Sequence, residues 1–374
     1  MREVWRSANR FRLLPEGKRF IPVILKAIAT AQHTLLVEQY LVESGRLSGL
    51  FIDALVRAAD RGVIVLVLLD GYGSQGLKRR DVEKLTGAGV FVRYFNPLRW
   101  DSLSNNLTRD HRKLVVVDHT LAFTGGFCLV DKFIDAWYEV AIQAEGPVVK
   151  DWIRLFSRLW DSTAAQGKYP VAQQIVEQAS PPVAEFTPGM RGRVIWARGY
   201  RHQAIRRSLH QRTSSARHRL WLCTPYFAPT RGLRRRLVGA ARRGVDVRIL
   251  LPVSRNNDHP GVQFAGQRFY TRLLEAGIRI FEFQPNFIHA KFCVVDDWTT
   301  IGSCNFDHWS LQWNLEANQE VEDRAFACEV AELFERNFLA SAEIDPELWA
   351  RRPWQQKLRE WLYGKISSWL NRLR

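Results

Sequence analysis

The chain has 374 residues, 46% hydrophobic and 25% charged, with 54 Lys and Arg against 38 Asp and Glu, a net charge of +16. This composition excludes a fibrous or disordered chain and is enough for two ordinary folded units. The basic excess points to a polyanionic partner: nucleic acid, an anionic membrane surface or a phosphorylated substrate.

The first residues, MREVWRSANRFRLL, lack the apolar core of a signal peptide, and no apolar run approaches the ~20 residues of a spanning helix. A membrane, if involved, would be met at its surface. Residues 17–31 predict an amphipathic helix covering a sheet. LSGLFIDALVRAADRG (47–62) predicts a second helix, which feeds the strand-like run RGVIVLVLLD at 61–70. DGYGSQG (70–76) reads as a loop, and AGVFVRYF (88–95) as the next strand. HRKLVVVD (111–118) follows, and its β-branched residues make it a strand.

The same order returns later in the chain. RGVDVRILLP (243–252), AGIRIFEF (276–283) and HAKFCVVD (289–296) repeat those segments at offsets of 182, 188 and 178 residues. TRGLRRRLVGAARRG again supplies a helix before the strand, and NNDHPG (256–261), with His259 in reach of a headgroup, takes the loop position. Helices alternating with short strands in two copies predict an α/β protein of two similar lobes, each an α/β/α sandwich with a mixed sheet. The Pro-, Ala- and Gln-rich stretch between them predicts a first lobe over 1–165, a connector over 166–190 and a second lobe over 191–345. The five cysteines include no CxxC pair and read as buried free thiols of a reducing compartment.

Side chains alternate along a strand, so His111 and Lys113 share a face, as do His289 and Lys291. A phosphodiester repels nucleophiles until its charge is offset, which two lysines can do without a metal. One neutral imidazole can attack phosphorus, and a second can protonate the leaving alkoxide and then activate the incoming hydroxyl. No cofactor or metal is expected. Each half also offers a carboxylate to orient its histidine: Glu139, 28 residues after His111, and Glu316, 27 after His289. The one-residue difference follows the second hairpin, which is one residue shorter. Gly125, Gly126, Ser303 and Asn305, in TGGFC and IGSCN, would approach the phosphate with backbone or side-chain donors. Asp118 and Asp296 complete the motifs at strand ends and read mainly as structural anchors of the hairpins. His210 and His218, with no accompanying carboxylate or Cys, belong to a solvated basic face.

H-x-K-x4-D twice, each copy followed by GG or GS, resembles the phospholipase D superfamily. RDHRKLVVVD, TPYFAPT, DHPGV and TIGSCNFDHWSLQWNLEAN are similar to the bacterial cardiolipin synthases of the short, non-transmembrane type, over roughly residues 16–340. That resemblance implies an active site between the lobes, a phosphohistidine on His111 with His289 as general acid and base, and metal-free phosphatidyl transfer. It also makes His111, Lys113, Asp118, His289, Lys291 and Asp296 the catalytic set. Phosphatidylglycerol is the expected substrate, with cardiolipin and glycerol as products. A hydrolytic phosphodiesterase or nuclease of the same superfamily is the alternative, and nucleic acid is the less expected partner. Cys128 stands where the family has Asn, which implies weaker phosphate binding by the first half.

At the end of the chain, 346–374 predicts a basic amphipathic helix with Trp354, Trp361 and Trp369 on one face. It would either lie on anionic lipid or dock on the body. The expected location is the cytoplasmic side of the cell membrane, peripherally bound.

Overall fold

Aliphatic runs that end at Asp or Gly make the strands, and amphipathic stretches between them make the helices. A computed structural model describes residues 3–98, 108–166, 184–253, 260–307, 314–358 and 363. In the first half β1 (Arg6–Pro15), α1 (Gly17–Thr30), β2 (Thr34–Gln39), α2 (Arg46–Asp60), β3 (Ile64–Asp70), α3 (Arg79–Gly87) and β4 (Phe91–Phe95) lead to the motif hairpin, β5 (Leu114–Val117) and β6 (Leu121–Gly125). After it come α4 (Lys132–Asp135), β7 (Trp137–Tyr138), β8 (Val140–Glu145), α5 (Val149–Trp160) and β9 (Ala165–Gln166).

The second half repeats this course. It runs β10 (Met190–Arg198), β11 (His202–Gln203), α6 (Ala204–Ser215), β12 (Arg219–Cys223), α7 (Arg231–Arg242), β13 (Asp246–Pro252), α8 (Pro260–Gln267), α9 (Tyr270–Leu274) and β14 (Arg279–Phe283). β15 (Phe287–Ile288), the hairpin β16 (Phe292–Val295) and β17 (Trp298–Gly302), β18 (Leu315–Glu322), α10 (Arg324–Leu339), β19 (Ser341–Glu343) and α11 (Pro346–Ala350) complete it.

Both sheets are mixed. In the first, β2, β3 and β4 run parallel, while β5, β6, β8 and β1 extend the other edge antiparallel. The second matches it, with β12, β13 and β14 parallel and β16, β17, β18 and β10 antiparallel. The two sheets are continuous, because β1 pairs with β8 through Arg10–Pro15 and with β10 through Arg6 and Asn9. The repeat therefore predicts each sheet but not this seam, since residues 6–15 carry no repeat signal of their own.

One hydrophobic core spans the halves. α5 contributes Trp152, Phe156 and Trp160, α10 contributes Phe326, Phe334 and Phe338, and both pack between the inner sheet faces. Trp152 donates its indole N–H to Gln319 Oε1 at 2.9 Å across this layer. The outer faces carry separate cores, under α1 and α2 in the first half and under α7 and α9 in the second. Most of the connector expected at 166–190 lies outside the described residues, as do Trp361 and Trp369, His259 and the loop around it.

Candidate active site

His111 and His289 each sit one residue beyond a strand link between the halves. β7 and β15 pair in parallel, Trp137 with Phe287 and Tyr138 with Ile288, and the His289 N–H donates to Tyr138 O at 2.8 Å. On the other side Asp110 bridges Leu315, and the His111 N–H donates to Leu315 O at 2.9 Å. Each of these acceptors immediately precedes a glutamate. The backbone thus sets each imidazole beside the carboxylate of the opposite half.

The contacts follow that geometry. His111 Nδ1 lies 2.9 and 3.1 Å from the oxygens of Glu316, and His289 Nδ1 lies 2.8 Å from Glu139 Oε2. Each glutamate was expected to serve the histidine of its own half, but the pairing is crossed. Sequence spacing along one repeat carries no signal for a swap between repeats. Both carboxylates are fully buried, whereas the two rings keep 13% and 9% of their surface open. The face left open belongs to the imidazoles.

Lys113 and Lys291 lie beside the two histidines. Lys113 Nζ donates to His111 O at 2.5 Å and sits 5.2 Å from the centre of the Tyr40 ring. Lys291 Nζ lies 2.7 and 3.0 Å from the two ring nitrogens of His289 and 3.7 Å from Glu139 Oε2, and it donates to His289 O. Burial, reinforced by the charges of both lysines, pushes His111 well below its ordinary value and keeps the ring neutral. Burial also lowers Lys291 to about 8 and raises Glu316 to about 8, and it raises Glu139 against the pull of Lys291. That Lys291 acts on His111 and Lys113 acts on Glu139 places all six groups in one electrostatic cluster.

The small residues divide into different roles. A Cβ on Gly126 would collide with the Glu139 carboxylate and lie 2.9 Å from Lys291 Cδ, so glycine leaves these two side chains the room they occupy. Gly125 packs against the backbone of Val140 and Ala141 rather than facing an opening. Ser303, expected as a phosphate donor, instead donates its hydroxyl to Glu316 Oε2 at 2.5 Å and accepts from the Ala317 N–H at 3.1 Å. Asn305 is buried next to Cys304, and Cys128 is buried at the equivalent place in the first half.

Asp118 and Asp296 do not join the cluster. The Asp118 carboxylate accepts the backbone N–H groups of Gln32, His33 and Thr34 at 2.7–3.0 Å. Asp296 accepts those of Arg217, His218 and Arg219 at 2.9–3.0 Å. Each pins the start of the neighbouring strand, about 17 Å along β5 or β16 from the lysine by strand rise. Burial works against ionisation of Asp296, yet its three N–H donors hold it below the usual carboxylate range. Both aspartates stand apart from the His–Lys–Glu cluster, and each anchors a neighbouring strand as well as its hairpin.

Further groups around the site had no motif to mark them. Beneath His111, Arg112 pairs with Glu38 at 2.6 Å and Asp110 at 3.1 Å, and Asp70 accepts the N–H groups of Tyr72, Gly73 and Asp110. The loop 70–76 thus braces the strand that carries His111. The second half has Cys223, Ile288 and Ala290 at the positions of Glu38, Asp110 and Arg112, so its floor is apolar. His289 is also walled by aromatic rings: Trp137 stacks on it at 4.8 Å, and Phe133 meets it edge-on at 5.2 Å. Tyr40 meets His111 edge-on at 4.8 Å. Four cysteines are buried and unpaired, while Cys328, expected to be buried, is exposed.

A family profile described as cardiolipin synthase, PLD-like domain, matches residues 24–160 and 209–338. Cardiolipin synthase B of Salmonella typhimurium is 34% identical over 332 residues, covering 86% of this chain and 78% of that protein. A probable cardiolipin synthase of Bacillus subtilis is 28% identical over 350 residues, covering 91% and 68%. Among solved structures, phosphatidylserine synthase of Haemophilus influenzae is similar with a TM-score of 0.76 over 96% of this chain and 93% of that one. Its 14% identity makes this a likeness of fold.

Proposed function

This chain belongs to the cardiolipin synthase family of PLD-like domain proteins, and from that premise we propose that it transfers a phosphatidyl group between two molecules of phosphatidylglycerol, forming cardiolipin and releasing glycerol. The observation that carries the mechanism is the crossed pair of His–Glu contacts, with a lysine beside each histidine.

With Glu316 accepting from Nδ1–H, Nε2 of a neutral His111 has a free lone pair. It attacks phosphorus, the P–O bond to glycerol breaks, and the protonated His289 gives its proton to the departing alkoxide. Lys113 and Lys291 offset the charge on the non-bridging oxygens as an N–P bond forms. His289, now neutral, removes a proton from the primary hydroxyl of the second phosphatidylglycerol. That oxygen attacks phosphorus, the N–P bond breaks and His111 is regenerated. Each step is matched by its reverse, so the exchange needs no nucleotide. Lys291 occupies the space next to both ring nitrogens of His289, where a bound cation would be repelled.

The acceptor has to compete with water. The aromatic wall of Trp137, Phe133 and Phe287 around His289 favours a lipid alcohol and leaves hydrolysis to phosphatidic acid as the side reaction. Among the described residues no helix is long and apolar enough to cross a membrane. The reading has the protein meet lipid at the surface, on the cytoplasmic side, which suits five unpaired thiols.

The test is incubation of purified protein with phosphatidylglycerol vesicles, without added metal or nucleotide. The expected products are cardiolipin and an equal amount of glycerol, while a plasmid incubated in parallel stays intact. A nicked plasmid with unchanged lipid would overturn the proposal in favour of a nuclease.

A further inference from the structure

The outer face of the second half holds a cavity of about 330 Å³ between α7 and α9, away from the paired histidines. Arg231, Arg234, Arg235, Arg242, Arg268 and Arg272 line it. Phe269 forms part of its floor, and the guanidinium carbons of Arg234 and Arg268 lie 4.0 and 4.4 Å from the centre of that ring. Burial and the charges of Arg268, Arg272 and Arg231 hold Arg234 below the usual arginine value. Among the described residues no carboxylate lines the cavity. Glu275 borders the adjoining opening beside Arg242, Arg268 and Arg272.

The first half provides an internal comparison. By the repeat offsets, α2 corresponds to α7 and α3 to α9. Between α2 and α3, Lys84 Nζ meets Asp53 Oδ1 at 2.5 Å. In the second half Arg272 stands at the place of Lys84, but Arg235 replaces Asp53 and Arg242 replaces Asp60. Two exchanges of acid for base turn a balanced interhelical cleft into a cationic one. Like charges gathered on a half-buried wall destabilise it unless an anion sits among them.

The surroundings favour lipid as the source of that anion. α9 packs on α11, where Trp349 Nε1 donates to Thr271 Oγ1 at 3.2 Å and the rings of Tyr270 and Trp349 lie 5.1 Å apart. Leu348, Trp354 and Leu358, on and just beyond α11, are exposed. Exposed Trp and Leu next to a basic cleft suit an anionic bilayer surface.

We propose that this cavity is a second anion site that takes the phosphodiester headgroup of an anionic phospholipid and seats the second half of the protein on the bilayer. It rests on the membrane part of the function proposed above and takes no part in the chemistry.

The test is co-sedimentation of the full chain with phosphatidylcholine vesicles, with and without phosphatidylglycerol. Arg234→Gln/Arg272→Gln should lower partitioning onto phosphatidylglycerol vesicles about tenfold or more. Arg235→Asp, which restores the acid of the first half, should do the same and raise the Tm. Arg79→Gln/Arg80→Gln, the same charge change on exposed α3, should bind like the wild type. Phosphatidyl exchange in detergent micelles should persist in all three. Equal binding by the cavity variants and the α3 variant would overturn the site. A Tm rise with inorganic phosphate that vanishes in the cavity variants, without any change in vesicle binding, would overturn the lipid assignment. So would selective loss of plasmid binding. Wild-type protein that binds vesicles through the cavity but makes no cardiolipin would refute the catalytic reading alone.

Discussion

Glu316→Gln and Glu139→Gln separate the crossed arrangement from one confined to each half. Glu316 is fully buried, lies 2.9 and 3.1 Å from His111 Nδ1 and accepts the Ser303 hydroxyl at 2.5 Å. A hydrogen bond to a charged partner contributes ~1.5–3 kcal/mol. At ~1.4 kcal/mol per factor of ten, its loss slows attack by His111 by roughly 10- to 150-fold. The lack of water at a fully buried carboxylate places the effect toward the upper end. The assay is rapid quench under single-turnover conditions with a phosphatidyl p-nitrophenyl ester, whose leaving group needs no proton. Glu316→Gln should slow attachment of the phosphatidyl group to protein. Glu139→Gln should leave attachment near the wild-type rate and slow its transfer to the acceptor alcohol, which depends on His289. If Glu139→Gln slowed attachment and Glu316→Gln did not, the crossed pairing would be refuted.

The pH profile follows from the two groups held at about 8. Glu316 is raised, so it becomes an ionised acceptor only as pH climbs toward 8. Lys291 is lowered, so its charge fades above 8. Turnover should therefore be a narrow bell around 8, and Lys291→Arg should carry the alkaline limb upward; a rate flat from about pH 6 to about 10 would contradict this. Asp118→Asn should lower stability by ~1–3 kcal/mol in urea unfolding by weakening a carboxylate with three N–H donors, and leave turnover per folded molecule unchanged. Lost turnover at unaltered stability would return Asp118 to the catalytic set. Gly126→Ala should fold but lose at least ~10-fold in turnover, because its methyl group pushes on Glu139 and Lys291; an unimpaired variant would show that the halves have slack there.

The duplicated strand–helix order, the two His–Lys pairs and the two buried glutamates were legible in the sequence because each rests on local spacing. Alternation along β5 and β16 puts each lysine on the face of its histidine, and the one-residue shift from Glu139 to Glu316 follows the shorter second hairpin. The crossed partners were not legible, since they arise from β7 meeting β15 and Asp110 meeting Leu315, contacts more than 140 residues apart. The contact of Ser303 with Glu316 was hidden for a related reason. The serine's place after the hairpin suits a phosphate donor, but the fold turns its hydroxyl toward Glu316 first. The charged floor of Glu38, Asp110 and Arg112 shows in the sequence only as scattered polar residues, because a tertiary network has no period.

The exchange of carboxylates has a consequence for biosynthesis. A chain emerges from the ribosome N-terminus first, and His111 is made some two hundred codons before its acidic companion at 316. Through that interval the early imidazole has no counterpart to fix its tautomer, and the late one is made after its own companion, Glu139. The nascent polypeptide stays chemically idle until residue 316 has been made, because each histidine meets its carboxylate only across the two halves.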